Sequence, residues 1–465
     1  MNKALKYTIL LLFACVFTAA AQEVKPKYIF LFIGDGMSFP QRMAADEYSR
    51  ITAGKPLAIN QMKYQAVTTT RSANSFITDS AASGTAIACG EKTGNGMIGV
   101  GQNGKPLTSV ASAAKARGRK VGIVTSVTIN HATPAAFYAH NKSRSNYYQI
   151  ALDMLTSGFD YFGGGGIAKY NSKSDKLYRG DIYELAEKAG YFVSREGKKF
   201  KEVKPEMSKV MSFGAENDLV YAINAREKDL RLADFVRQAI GQLDNPNGFF
   251  IMAEGGKIDW LCHANDAGAA IIEVIDFDNA VSVALDFARK HPAETLIVVT
   301  GDHETGGLTL GFAGTAYKSY IERIAHQKGT VSVFTQKLKS LETSGKVNFD
   351  RVIKVITEHF GMIFPAGKSA EVNSMELTSA EISAIENAYN KQFADGKWVR
   401  DKKKNRVSYL EKEVVRIFNN KAALAWTSGA HTALPVNTTA EGVGAEKFVN
   451  MIDNTDISKK LKELL

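Results

Sequence analysis

Leu296-Ile297-Val298-Val299-Thr300-Gly301-Asp302-His303-Glu304-Thr305-Gly306-Gly307 sets a short, unbroken apolar run directly against an acid, an imidazole and a pair of glycines. A brief aliphatic run closed by a turn signal reads as a strand buried on both faces, as in a parallel sheet. The same junction recurs outward along the chain: Tyr28–Ile33 runs into Gly34-Asp35, Val121–Val124 into Thr125–His131, and Phe249–Ala253 into Glu254. Helix-length stretches such as Leu107–Arg117 and Leu230–Leu243 lie between them. Alternating strand and helix predict an α/β fold with a large central, mostly parallel sheet and helices on both faces. Ligands of such sheets bind at the carboxyl ends of the strands, and all four polar sets fall there.

From about 311 to 425 the texture changes to amphipathic and charged. Val347, Phe349, Val352, Ile353, Val355 and Ile356 follow helical spacing, and Thr378-x-x-Glu381 is a capping box that opens a second helix through Tyr389. This predicts an inserted helical lobe, after which the sheet resumes with Ala430-His431 and an apolar stretch ending near Val436. No internal repeat or low-complexity tract interrupts the chain. With 465 residues, 45% of them hydrophobic, the chain can fill a large core, which excludes a disordered protein.

Residues 1–21 combine Lys3 and Lys6, an apolar run from Tyr7 to Phe17, and Ala19-Ala20-Ala21 before Gln22, the layout of a secretory signal peptide. The expected organisation is a leader over 1–21 and one catalytic domain over 22–465, exported to the periplasm or secreted. The competing reading makes Leu12-Phe13-Ala14-Cys15 a lipoprotein box with a lipidated Cys15, against which the bulk of Phe13 weighs. No later run is long enough for a transmembrane helix. The net charge of +10 is spread along the chain, which favours a solvated surface that attracts anions over a nucleic-acid partner. The one dense basic run, Arg400–Arg406, reads as an exposed loop. Beyond Cys15, only Cys89 and Cys262 remain, too few for a disulfide framework, so two buried thiols are expected, with one bridge as the alternative.

Four constellations carry chemistry. Asp259 and His263, four apart, share one helical face and could share one metal ion or be a surface pair. Asp302-His303 at a strand end offers oxygen and nitrogen to a divalent ion, or forms a polar turn. In Thr78-Asp79-Ser80-Ala81-Ala82-Ser83-Gly84, a Ser80 that caps a helix would lie among backbone N–H groups suited to anions; the plain alternative is an ordinary cap on a closely packed small-residue helix. His131-Ala132-Thr133-Pro134-Ala135-Ala136 is followed by Arg144, whose fork matches two phosphate oxygens. Gly94-Asn95-Gly96-Met97-Ile98-Gly99 matches a dinucleotide fingerprint but neither follows a predicted strand nor opens a βαβ unit.

Taken in order from Lys27 to about Leu465, these segments resemble those of alkaline phosphatases. The matching motifs are Ile33-Gly34-Asp35-Gly36-Met37, Thr78–Ser83, Ala132–Ala136, Gly163–Gly166, Glu254-Gly255-x-x-Ile258-Asp259-x-x-x-His263, Thr300–His303 and Gly429-Ala430-His431-Thr432. The resemblance implies hydrolysis of phosphate monoesters through a covalent phosphoserine at Ser80, with Arg144 on the phosphoryl oxygens. It implies one zinc held by Asp259, His263 and His431, and a second held by Asp35, Asp302, His303 and the Ser80 oxygen. It implies a third ion, usually magnesium, held by Asp35, Thr133 and Glu254, and the oxygen-only donors of the last two suit a hard ion. The chain departs from the best-known bacterial pattern at two points: His131 stands where Asp is often found, and Trp260 where Lys is often found. An imidazole at His131 opens the third site to zinc or cobalt. A sulfatase needs a Cys/Ser-x-Pro-x-Arg context that Ser80 lacks. A phosphodiesterase of the same superfamily is the remaining rival, and Arg144, suited to a dianionic terminal phosphate, weighs against it. A scavenger that only binds metal or phosphate would not need Ser80. Homodimerisation is common in the family.

Overall fold

Among the described residues ten strands form the main sheet, and their order brings the four predicted junctions side by side. The computed structural model describes residues 24–343, 345, 347–365, 374–394, 397–399 and 408–465. Strands β1 (Tyr28–Gly34), β2 (Tyr64–Thr69), β3 (Lys120–Thr128), β4 (Tyr161–Gly165), β5 (Phe192–Ser194), β6 (Val210–Phe213), β7 (Phe249–Gly255) and β8 (Thr295–Gly301) are joined by Val436–Gly442 and Asn450–Asp453. From edge to edge run Asn450–Asp453, β2, Val436–Gly442, β8, β1, β7, β3, β4, β6 and β5. Val436–Gly442 is antiparallel to β2 and β8, and every other pairing is parallel. The mostly parallel α/β fold expected from the sequence is the fold observed.

β8, β1 and β7 are buried at every position, because helices cover both faces. Alternate side chains of a strand point to opposite faces. Ile29, Leu31 and Ile33 pack with the helices Ser80–Cys89, Val110–Ala116 and Asn454–Leu464, while Phe30 and Phe32 pack with Leu232–Leu243 and Ala267–Lys290. The register sets Ile33 opposite Glu254 and Thr300, Gly34 opposite Gly255 and Gly301, and Thr125 opposite Glu254. Asp35 and Asp302, one residue beyond their strands, therefore emerge beside Glu254.

Three features differ from the sequence reading. The helix expected over Leu107–Arg117 runs from Val110 to Ala116, because Ser109 caps it and accepts from the Ser112 amide. The apolar stretch after His431 does not end a sheet strand at Val436. His431–Thr432 instead pairs with Glu304–Thr305 in a separate ladder, and the sheet strand begins at Val436, after Pro435, which has no N–H for a sheet ladder. The β4–β6–β5 edge was not anticipated, since β4 reads Tyr161-Phe162-Gly163-Gly164-Gly165, a poor strand by propensity. Gly164 has φ +112, and a Cβ there would lie 1.8 Å from the Thr125 carbonyl oxygen on β3, so this pairing admits no side chain.

Between residues 311 and 425 the helices Val331–Thr343, Phe349–Phe360, Ser379–Gln392 and Tyr409–Lys421 enclose their own apolar cluster, with Phe334, Ile356, Phe360, Leu410 and Phe418 at its centre. Thr378 caps its helix with the Glu381 capping box. The leader expected over 1–21, with Cys15, and the basic run Arg400–Arg406 lie outside the described residues. Cys89 and Cys262 are free, buried thiols, and burial pushes the Cys89 thiol up to about 12. No helix among the described residues is long and apolar enough to cross a membrane.

Candidate active site

The helix Ser80–Cys89 is buried along its whole length, and its small side chains let it lie close to its neighbours: a Cβ on Gly84 would meet Thr133 Cα at 3.2 Å. Its cap is Asp79 and not Ser80. Asp79 Oδ1 accepts from the Ala82 amide at 3.0 Å, which makes Ser80 the first helical residue and leaves its hydroxyl uncommitted to capping. The Ser80 Oγ instead faces His303 Nε2 at 3.2 Å.

Among the described residues three donor sets gather at this end of the sheet, and His303 brings one of them against the hydroxyl. Asp259, His263 and His431 form one, Asp35, Asp302 and His303 a second, and Asp35, His131 and Glu254 a third; within each set one donor atom per residue lies within 4.8 Å of the others. Within the first set, Asp259 Oδ2 lies 3.4 Å from His263 Nε2, and Oδ1 lies 3.5 Å from His431 Nε2. His303 Nε2 lies 3.3 Å from both Asp35 Oδ1 and Asp302 Oδ2. The turn after β1 is shaped for this crowding: Gly36 has φ +70, and a Cβ there would meet Asp259 Cα at 2.9 Å.

The donor sets fit metal ions. Both carboxylate oxygens of Asp35, Asp302 Oδ2, Glu254 Oε1, Thr133 Oγ1 and His131 Nδ1 are buried without a hydrogen-bond partner, and buried polar groups are ordinarily satisfied. The imidazoles are also oriented for ligation. His263 Nδ1 is 2.8 Å from the Gly429 carbonyl, and His431 Nδ1 is 2.9 Å from the Thr78 carbonyl. A ring N–H donated to a carbonyl leaves the Nε2 lone pair free, and the two Nε2 atoms face each other at 3.1 Å. Two lone pairs so close need a shared proton or cation.

Electrostatics point the same way. Burial, and then the neighbouring acids, push Asp35 and Asp302 well above the carboxylate range; burial pushes Glu254 up to about 7. Burial also favours the neutral form of Asp259, but His263, His303 and His431 outweigh it and hold the group below its ordinary value. Burial and His431 depress His303 strongly. A cation placed among these carboxylates would relieve their mutual repulsion.

Arg144 is aimed by its partners. Its Nη1 donates to Asp79 Oδ2 at 3.0 Å and its Nη2 lies 3.3 Å from His131 Nε2. Burial lowers the affinity of the guanidinium for its proton, but Asp79 more than offsets this. His131 is pushed down to about 3 by burial and by Arg144, so the imidazole is neutral; it also meets Trp260 edge-on at 5.9 Å between ring centroids. The glycine-rich segment 94–99 supports this assembly: Asp79 Oδ2 accepts from the Gly96 amide, and the Arg144 amide donates to the Gly96 carbonyl.

Several working residues had no assigned role from sequence. Asp79 caps the Ser80 helix and holds Arg144. Thr305 Oγ1 donates to Asp259 Oδ1 at 2.6 Å and lies 3.2 Å from His303 Nδ1. Thr125 donates to Glu254 Oε2. Glu304, fully buried, accepts from Gln41 Nε2 at 2.8 Å, from the Gly307 amide at 3.0 Å and from the Thr432 hydroxyl. It thus clamps the ladder that joins His303 to His431. The carboxylate in Asp302-His303-Glu304 was the available signal, but only the Thr432 pairing reveals its task.

A mostly parallel sheet with three donor sets and a buried hydroxyl at the carboxyl ends of its strands defines an α/β protein whose site is shaped to hold cations beside that hydroxyl. The chain belongs to the alkaline phosphatase family, whose profile matches residues 26–465. It is similar to alkaline phosphatase 3 of Bacillus subtilis, with 32% identity over 96% of this chain and 92% of that protein. Among solved structures it is similar to the cold-active alkaline phosphatase of Shewanella sp., with 29% identity, TM-score 0.78, and coverage of 94% of this chain and 99% of the other. A variant of the alkaline phosphatase of the Antarctic bacterium TAB5, in which a histidine is replaced by aspartate and magnesium is bound in the M3 site, is 26% identical with TM-score 0.66; the match covers 95% of this chain and 99% of that one.

Proposed function

We propose that this protein hydrolyses phosphate monoesters to an alcohol and inorganic phosphate, with the phosphoryl group carried transiently on Ser80. The observation that carries this reading is the Ser80 hydroxyl, held 3.2 Å from His303 Nε2 beside donor sets whose buried carboxylate oxygens lack partners. Asp259, His263 and His431 would hold one zinc, and Asp35, Asp302 and His303, with the Ser80 oxygen, a second; Asp35, Thr133 and Glu254 would hold magnesium, with zinc or cobalt as alternatives if His131 contributes nitrogen. Bound there, the ions would supply Lewis-acid charge that lowers a hydroxyl pKa and offsets charge developing at phosphorus and on the leaving oxygen.

Ser80 loses its proton to solvent, and its Oγ forms a bond to phosphorus as the ester P–O bond breaks; the departing oxygen gains a proton and leaves as the alcohol. Arg144, braced by Asp79, holds two equatorial oxygens through both displacements. Water then forms the second P–O bond as the Ser80 Oγ–P bond breaks, releasing phosphate and restoring the hydroxyl. The leader over 1–21 supports export to the periplasm or beyond, and residues 22–465 are read as one catalytic domain carrying the lobe at about 311–425. A chromogenic monoester, diester and sulfate, each assayed with and without chelator, test the reaction class; we expect chelator-sensitive monoester hydrolysis, and preferred diester cleavage would replace this reading. Acid quenching with labelled monoester should trap phosphate on Ser80, and Ser80→Ala should lose at least about a thousandfold in kcat while remaining folded.

A further inference from the structure

A cavity of about 1250 Å³ opens beside His263, between the donor set and the inserted lobe. His263 and Trp260 line it from the helix Lys257–His263, Trp426 and Phe312 contribute two more rings, and Lys412 and Arg416 enter from the lobe helix Tyr409–Lys421. Among the described residues no carboxylate side chain lines it. Arg416 is engaged by Glu413, whose Oε2 accepts from Nε at 3.1 Å, while Lys412 has no ion-pair partner among the described residues. Ligand pockets usually measure roughly 300–1,000 Å³, so this one exceeds the needs of a small alcohol.

We propose that this cavity receives the leaving group and selects substrates in which that group carries both an aromatic ring and a further phosphate, the chemistry of nucleoside diphosphates. The proposal rests on the phosphatase reading above: with the Ser80 oxygen on the side of Asp35, Asp302 and His303, an in-line displacement puts Asp259, His263 and His431 on the leaving-group side of phosphorus. A group leaving past His263 enters a space whose walls offer flat apolar rings and cationic heads. Rings stack on aromatic side chains with little regard to base identity, and Lys412 matches a second phosphate as a point charge. The inserted lobe thereby acquires a task in specificity: it supplies the cations.

The test compares kcat/KM for adenosine 5′-diphosphate, adenosine 5′-monophosphate and ethyl phosphate in the metal-loaded wild type, Lys412→Ala and Phe312→Ala. The wild type should prefer the diphosphate, then the monophosphate, then ethyl phosphate. Lys412→Ala should lower the diphosphate value about tenfold and leave the other two unchanged, and Phe312→Ala should lower both nucleotides about tenfold while ethyl phosphate, the small reference, holds. A parallel loss on all three substrates, or no loss on any, overturns the proposal. Two of the three tryptophans line the cavity, so adenosine 5′-diphosphate should quench the fluorescence of Ser80→Ala, and Lys412→Ala added to it should weaken that quenching. If the wild type leaves ethyl phosphate intact, the phosphatase reading fails; quenching that depends on Lys412 would still support the cavity, and its absence would overturn it.

Discussion

The carboxyl end of the sheet and the inserted lobe bury opposite kinds of side chain. At the sheet end Asp35, Asp302, Glu254 and His303 are fully buried, and several of their polar atoms lack partners. In the lobe the interior is Phe334, Ile356, Phe360, Leu410 and Phe418, with His359, Gln392, Glu411, Asn419 and Lys421 among its buried polar side chains. Apolar burial stabilises directly, whereas unpaired buried carboxylates oppose folding until a cation or proton arrives. The first arrangement therefore depends on a frame that is already stable, and β8, β1 and β7 provide it. The lobe packs around an apolar cluster of its own, so its burial does not wait on a cation or proton.

That contrast is broken most severely at the donors. His263→Ala and Asp302→Ala should each remove about one bound ion per chain and at least about a hundredfold in kcat. Phe360→Ala should cost about 3–5 kcal/mol of stability yet leave metal content intact. Elemental analysis of the purified variants decides, and a full metal complement in His263→Ala or Asp302→Ala would refute the ligand assignment.

Glu304→Gln probes the clamp between the two histidines. The amide presents an N–H₂ where Gln41, Gly307 and Thr432 all donate, so a buried acceptor is lost. Metal affinity should fall about tenfold, read by chelator titration, beyond the 1–3 kcal/mol of stability that about one unsatisfied group costs. An unchanged titration with lowered stability would make Glu304 purely structural.

His131→Asp sharpens the third donor set. The imidazole is neutral there, so aspartate adds a negative charge beside Glu254 and Asp35 and should raise magnesium affinity about tenfold. Magnesium titration of activity, after chelation and zinc restoration, reads the effect; identical curves would confine His131 to its contact with Arg144.

The smallest effect belongs to the lobe. Burial pushes Glu411 up to about 7, with Asp266 adding to the rise and Thr335, Lys339 and Lys412 opposing it. Its folded pKa exceeds the unfolded value near 4.3, so the folded state binds more protons and stability falls as pH rises from about 4 through 7. Glu411→Gln should therefore raise the melting temperature by about 2 °C at pH 8 and leave it little changed at pH 4. A gain at pH 4 equal to that at pH 8 would contradict the assigned titration.

Sequence alone determined the parallel-sheet class, the four strand-to-turn junctions and the residue types gathered at them. Those signals are local: an aliphatic run closed by Gly-Asp, a capping box at Thr378, or an Asp–His pair four apart is complete within a few residues. Strand order, the glycine-rich β4, the short ladder that carries His431, and the approach of Lys412 to the His263 cavity were decided only by tertiary structure. His263 and His431 are 168 positions apart and meet at 3.1 Å. Asp79 likewise gave no sign that it, and not Ser80, would cap the helix, because the choice depends on Gly96 and Arg144 arriving from elsewhere to share its carboxylate. Pairings of this kind have no local signature, since the energy that fixes them comes from burial and hydrogen bonds formed after distant segments meet.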